Sequence, residues 1–244
     1  MEHRQKTEER AFYLETSVFP LLDVKDSMKD IPTIVECPGT CFLIKMGQQD
    51  VFVTAKHLLS EKPDKHNLYL AYNTSEGRSS YLKVKAACVN HVGEDTSFFL
   101  PTAEMKAEYE QILVPMEWLR CSIPVGQGVL VYGFPNSGQQ SGANAEPMVN
   151  IQRTRYEGKV LGIDHDCPLP VMKTIYQIDV PSPRGLSGSP VMVIHKETVA
   201  VAGYIIGEQT INGRSVATAA DSTPFVEIER LLIDASRKLA PKLS

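Results

Sequence analysis

The chain has 244 residues, of which 43% are hydrophobic and 22% charged, the balance of an ordinary globular protein long enough to bury a sizeable core. That composition excludes a disordered chain, a collagen and a coiled-coil rod. With 25 Lys and Arg against 29 Asp and Glu the net charge is -4, so no basic excess points to nucleic acid or to an anionic membrane.

The first ten residues, MEHRQKTEER, are charged throughout and carry no apolar segment or small-residue cleavage site, so they do not read as a secretory signal. The longest apolar stretch, near 198–207, is short of the roughly 20 apolar residues a membrane helix needs. A cytoplasmic protein is expected.

Short runs rich in Val, Ile, Thr, Tyr and Phe follow at 40–45, 50–54, 68–72, 81–89 and 96–100. Residues 103–119 are good helix formers broken by Pro115 and predict an interrupted helix. Further β-runs lie at 128–132, 149–154, 175–180, 190–194, 199–206 and 215–219. Between the first two of these, 136–146 (NSGQQSGANAE) has no large apolar residue and predicts a long loop, mobile in the resting protein. A C-terminal helix is expected over about 224–240, with Thr223 as its N-cap and Pro224 at the first helical position. Phe225, Ile228, Leu231, Leu232, Ala235 and Leu239 recur on one face of it. Short strands separated by turns, closed by one helix, predict an all-β protein of barrel or sandwich type. No domain boundary is evident.

Five cysteines, at 37, 41, 88, 121 and 167, are odd in number and not spaced as a disulfide framework. Cys37 and Cys41 form a C-x3-C with no second pair at zinc spacing, so they read as buried small hydrophobes. His165, within DHDC, reads as part of a solvated turn. No metal and no cofactor are expected.

Three patterns carry chemistry together. VFVTAKH (51–57) is a β-run that delivers His57 at its end. GEDTSFFL (93–100) places an acidic pair, Glu94 and Asp95, before another β-run. RGLSGSPV (184–191) sets Ser187 between Gly185 and Gly188. A serine hydroxyl is a poor nucleophile near neutral pH and needs a neighbouring base. Histidine suits that task, and a carboxylate fixes its tautomer. Glycines allow the tight turn that aims backbone N–H groups at a developing oxyanion. Each pattern alone is weak; the order His57, Asp95, Ser187 makes them a candidate set.

In these residues the chain resembles a trypsin-like serine peptidase of chymotrypsin fold, most of all a lone HtrA/Deg-type peptidase domain without a PDZ domain. GTCFLI (39–44), TAKH (54–57), PVGQGVLVYGFP (124–135), IDVPSPRGLSGSPV (178–191) and VAGYIIG (201–207) carry the likeness. It implies one peptidase unit over 1–244 built as a double six-stranded antiparallel β-barrel. The first barrel would cover about 30–120, the second about 121–222, with the helix after them. It further implies Ser187 as nucleophile, His57 as general base and then acid, and Asp95 as its orienter. The backbone N–H groups of Gly185 and Ser187 would form the oxyanion hole. The specificity pocket would be lined by 180–184, 205–208 and 217–219, with Pro181, Ile205, Ile206, Glu208 and Ala217 as contact residues.

The chain departs from the family pattern in four places. Thr96-Ser97-Phe98 stands where an apolar-Ala-apolar run is usual. Ser189 stands at a position often held by Gly. Leu186 precedes the serine where secreted relatives carry an Asp, and Leu58 follows the histidine where they carry a cysteine. The last two agree with an intracellular enzyme. Pro181, six residues before Ser187, is not acidic, which points towards a small or medium apolar side chain at P1, while Glu208 near the pocket mouth keeps a basic preference open. The expected function is a serine endopeptidase acting on a peptide or protein substrate, dormant until a partner protein activates it or active by itself. The rival is a catalytically silent binding module on the same fold.

Overall fold

The computed structural model describes residues 17–25, 33–60, 67–73, 79–83, 89–90, 95–100, 115–135, 151–164, 174–195 and 198–239. The expected loop at 136–146, the helical stretch at 103–114, and Glu94, His91 and His165 lie outside them.

The N-terminal half is an antiparallel sheet of β1 (Val18–Lys25), β2 (Thr33–Met46), β3 (Gln49–Ala55), β4 (Asn67–Asn73), β5 (Ser79–Lys83), β6 (Val89–Asn90) and β7 (Thr96–Phe99). Their spatial order is β5-β4-β1-β2-β3-β7-β6. The sheet begins at Val18 and has seven described strands. Its end strands do not pair among the described residues, so closure is not shown in this half.

The C-terminal half contains β8 (Glu117–Trp118), β9 (Gly128–Gly133), β10 (Thr154–Asp164), β11 (Ile175–Ile178), β12 (Pro190–His195), β13 (Thr198–Ile211) and β14 (Arg214–Asp221). Here β12 pairs with both β9 and β13, which closes six strands into a barrel; β8 adds on parallel to β13. The β13–β14 hairpin turns at Asn212 (φ 50°) and Gly213 (φ 75°), with Ile211 opposite Arg214. That is a two-residue turn of the type Asn-Gly prefers.

Two α-helices are described, α1 (His57–Ser60) and α2 (Thr223–Leu239). No helix among the described residues is long and apolar enough to cross a membrane.

Alternation within strands builds three cores. In β2, Cys41 and Leu43 face a cluster with Phe19, Phe52 and Phe99, whereas Phe42 and Ile44 face the second half. In the barrel, Val129 and Val131 point inwards, while Tyr132 joins the shared layer. The shared layer centres on Phe225 of α2, fully buried among Phe42, Trp118 and Tyr204 at ring-centroid distances of 6.4, 5.7 and 5.9 Å. The helix therefore sits where both halves meet. Four buried aromatic rings contribute both area and favourable ring geometry there.

Two local expectations are corrected. Glu117 and Trp118 are β-paired rather than helical, and Met116 exchanges backbone bonds with Leu43 and Lys45 of β2. Pro115 interrupts the helical pattern, and pairing with both halves satisfies the backbone instead. At the start of α2, Thr223 is not the capping acceptor. Its N–H and hydroxyl both donate to the Asp221 carboxylate, at 3.1 and 2.7 Å, and Asp221 does the capping.

Candidate active site

β3 ends at Ala55 and α1 begins at His57. Beside it β7 runs antiparallel, with Ala55 opposite Thr96 and Thr54 opposite Ser97. This register sets Asp95, the residue before β7, against the first turn of α1. Asp95 Oδ1 accepts the His57 backbone N–H at 2.8 Å, and Oδ2 lies 2.6 Å from His57 Nδ1. The Asp95 carbonyl accepts from Lys56 N–H at 3.1 Å. One residue thus fixes both the backbone and the ring of His57. A carboxylate only accepts, so Nδ1 carries the proton and Nε2 is left as the basic nitrogen. The two side chains are 33% and 23% exposed, open enough for a substrate to reach the ring.

Ser187 sits in a pair of consecutive turns. Leu186 N–H donates to the Pro183 carbonyl at 3.2 Å, and Ser189 N–H donates to the Leu186 carbonyl at 3.0 Å. The third residue of each turn is a glycine with positive φ, Gly185 at 89° and Gly188 at 82°. Arg184 and Ser187, at the second positions, are not in that region, so both turns are type II. Neither Gly185 N–H nor Ser187 N–H donates to another group among the described residues. Both remain available to an oxyanion.

The two halves meet at this point. Thr40 N–H donates to the Ser187 carbonyl at 2.8 Å. A Cβ built on Gly39 would fall 2.9 Å from that carbonyl and 2.2 Å from the side chain of Leu58, the neighbour of His57. A Cβ on Gly188 would fall 2.0 Å from the Thr40 carbonyl and 3.2 Å from Ala55 N. The serine turn therefore lies directly against the strand end that delivers the histidine, and glycine permits the approach. The hydrogen-bonded pair of His57 and Asp95 and the turn that carries Ser187 thus belong to neighbouring segments.

The polar residues after Asp95 have a structural cause. Thr96 is fully buried, and its hydroxyl hydrogen-bonds that of Tyr204, on β13. A buried hydroxyl needs such a partner, and this one ties the Asp95 strand to the barrel.

Cys37 is no rival nucleophile. Its thiol donates weakly to the Gly39 and Phe134 carbonyls, and burial pushes its pKa up to about 12. Groups of three or more potential metal ligands are absent among the described residues.

Of the expected contact residues, Pro181 and Glu208 are exposed and Ile206 is half-buried. Ile206 is the extra residue of a bulge, since Ile205 pairs with Ala219 and Gly207 with Thr218. Ile205 and Ala217 are fully buried and belong to the barrel core, so their side chains face away from a bound peptide. On the opposite face of β14 from Ala217 stands Thr218, half-buried, its Oγ1 3.5 Å from where a Gly207 Cβ would be. Ser182 donates to the Gly207 carbonyl at 3.1 Å. Ile205 exchanges backbone bonds with Gly188 and Ser189, and beyond it β13 pairs only with β14 among the described residues, which leaves one edge of 206–211 without a paired strand there. The period-2 alternation of a strand was the signal that separates Thr218 from Ala217.

The sequence profile of the trypsin family matches residues 38–226. The chain belongs to the trypsin family. This family holds serine peptidases, and the match contains all three polar residues just described. No curated protein matches the chain significantly. Among solved structures, an HtrA-type protease, AlgW in a serine-to-alanine form with a tripeptide, is similar at TM-score 0.62 and 14% identity. That likeness covers 93% of this chain but 63% of the other, so this chain spans less than two thirds of it. Deg5 is similar at TM-score 0.60 and 15% identity over 93% of both chains. Rv3671c from M. tuberculosis, in an inactive serine-to-alanine form, is similar at TM-score 0.57 and 16% identity, over 92% of this chain and 90% of that one. Identities this low establish the shared fold.

Proposed function

We propose that this trypsin-family chain is a serine endopeptidase that works through Ser187, His57 and Asp95. The observation that carries the reading is the double use of the Asp95 carboxylate, which holds His57 by backbone and by Nδ1. Nε2 then takes the proton of Ser187 Oγ as that oxygen bonds to the scissile carbonyl carbon. The carbonyl oxygen, now negative, is received by the N–H groups of Gly185 and Ser187. As the C–N bond breaks, the imidazolium gives its proton to the leaving amine and an acyl-enzyme remains. Water, deprotonated by the same Nε2, then releases the acid and restores Ser187. This is the mechanism of the serine triad in general, applied to these residues.

The substrate is an extended peptide that pairs with the open 206–211 edge of β13. Ser182, Gly207 and Thr218 line a small uncharged recess for its P1 side chain, which favours small or medium uncharged residues. Glu208, whose carboxylate accepts from Ser215 Oγ at 2.9 Å, stands further along that edge.

The test is a fluorophosphonate probe on purified protein, read by intact mass, with Ser187→Ala and His57→Ala as controls. One adduct on the native chain and none on either variant is expected. A folded native chain that takes no adduct, alone or with cell extract added, overturns the reading in favour of a silent binding module. An adduct that appears only with extract assigns partner-dependent activation.

A further inference from the structure

We infer that Thr40 is a positioning residue for the oxyanion hole, an inference that rests on the peptidase reading above. Thr40 comes from β2 of the N-terminal sheet, is fully buried, and bonds to the serine turn through two groups. Its hydroxyl donates to the Gly185 carbonyl at 2.9 Å and accepts Phe134 N–H at 3.1 Å. Its own N–H donates to the Ser187 carbonyl at 2.8 Å. Its carbonyl accepts from Thr54 Oγ1 at 2.7 Å, so the residue is itself held in place.

The Gly185–Leu186 peptide unit is therefore pinned at both ends. Its C=O is bonded to the Thr40 hydroxyl and its N–H to the Pro183 carbonyl. The unit just before it, Arg184–Gly185, is the central peptide of the type II turn and carries the N–H that would receive the oxyanion. Type I and type II turns share the same closing bond and differ by a half-rotation of that central peptide. In the type I form the Arg184 carbonyl would occupy the place of the Gly185 N–H, and the hole would present an acceptor to an anion. The closing bond alone does not choose between the two forms. Gly185, at φ 89°, admits the type II form, and the Thr40 hydroxyl, together with its N–H on the Ser187 carbonyl, fixes where that turn sits against β2. The side chain that sets the backbone of the C-terminal half thus belongs to the N-terminal half.

The test compares Thr40→Val, which keeps shape and loses the hydroxyl, with Thr40→Ser, which keeps the hydroxyl. Thr40→Ala serves where the valine variant does not fold. Ser222→Ala, which removes the buried bond from Ser222 to the Leu119 carbonyl far from the turn, controls for lost stability. Removing an oxyanion donor outright costs on the order of 10²–10³ in kcat, so its misorientation in Thr40→Val is expected to lower kcat about 10- to 100-fold on a fluorogenic peptide. KM should stay within about twofold, since ground-state binding does not use the hole. Thr40→Ser and Ser222→Ala should remain within about threefold of the native chain in kcat. A crystal structure of the valine or alanine variant should show the 183–187 turns displaced from β2. A folded variant with native kcat, or with reduced kcat and an undisplaced turn, overturns the inference. Should the native chain hydrolyse nothing, the peptidase reading fails, and the turn in the variant structure alone decides the role of Thr40.

Discussion

The two halves of the molecule contribute to the site in different chemical terms. The N-terminal sheet supplies side chains, His57 and Asp95, and places them by strand register: Ala55 opposite Thr96 is enough to bring them together. The C-terminal barrel supplies one side chain, Ser187, and otherwise backbone, shaped by two glycines at φ 89° and 82°. A substitution in the first half should therefore remove a function and leave the fold standing. In the second half the same atoms hold the fold and form the site.

The largest expected effect tests the first part of that contrast. Asp95→Asn keeps size and can still hydrogen-bond, but it offers His57 the wrong tautomer. Activity should fall about 10⁴-fold while the melting temperature moves little. Loss of the fold along with the activity would erase the distinction drawn between the halves.

Glycines of the barrel provide the second test. A Cβ at Gly188 would fall 2.0 Å from the Thr40 carbonyl, whereas at Gly126, with a similar φ of 86°, it would meet nothing within 4 Å. Gly126→Ala should cost only the backbone strain of about 1–2 kcal/mol. Gly188→Ala adds a clash with main chain and should cost roughly 3 kcal/mol or more, measured by urea unfolding. Equal losses would show that φ alone requires these glycines, with the contact between halves irrelevant.

A smaller effect probes the link between the halves. Tyr204→Phe leaves the buried Thr96 hydroxyl without its partner and should destabilise by about 1–3 kcal/mol. Adding Thr96→Val should recover part of that loss, since both polar partners are then gone. Additive losses in the double variant would mean that the pair does not couple the Asp95 strand to the barrel.

The mildest prediction appears only in alkali. Burial raises the Cys37 thiol from its usual value of 9.0 to about 12. The folded state then holds its proton more tightly than the unfolded chain. The associated stability is fully present below pH 9 and is lost as pH rises through about 12. Cys37→Ala should flatten the fall in stability across that window. An unchanged slope would place the thiol in contact with water.

Much of the strand pattern was legible in sequence because the strands are short, apolar and bounded by turns. Three strands were not, and one of them, β8, was expected as part of a helix. β1 carries Pro20, which weakens a strand signal, and Pro20 lies outside the stretch from Leu21 to Val24 that pairs with β4. β10 contains Gly158 and Gly162 among charged residues and has no apolar run. Gly158 is there because a Cβ would come within 2.5 Å of the Asp179 carbonyl on the neighbouring chain segment, a contact no local pattern displays.

The proposed catalytic residue types, their order and the glycines around Ser187 are local chemistry and can be read from sequence. Helical period likewise marked Phe225 and Ile228 as buried, but Leu231, expected on the same face of α2, is exposed. Tertiary structure decided which N–H and C=O groups are free and which are held. It also decided that Ala217 lies in the barrel core while Thr218 stands on the opposite face of β14, and that a threonine of the first sheet grips the turn of the second half. Those outcomes depend on contacts between segments far apart in the chain, whose geometry is set only when both halves pack around Phe225.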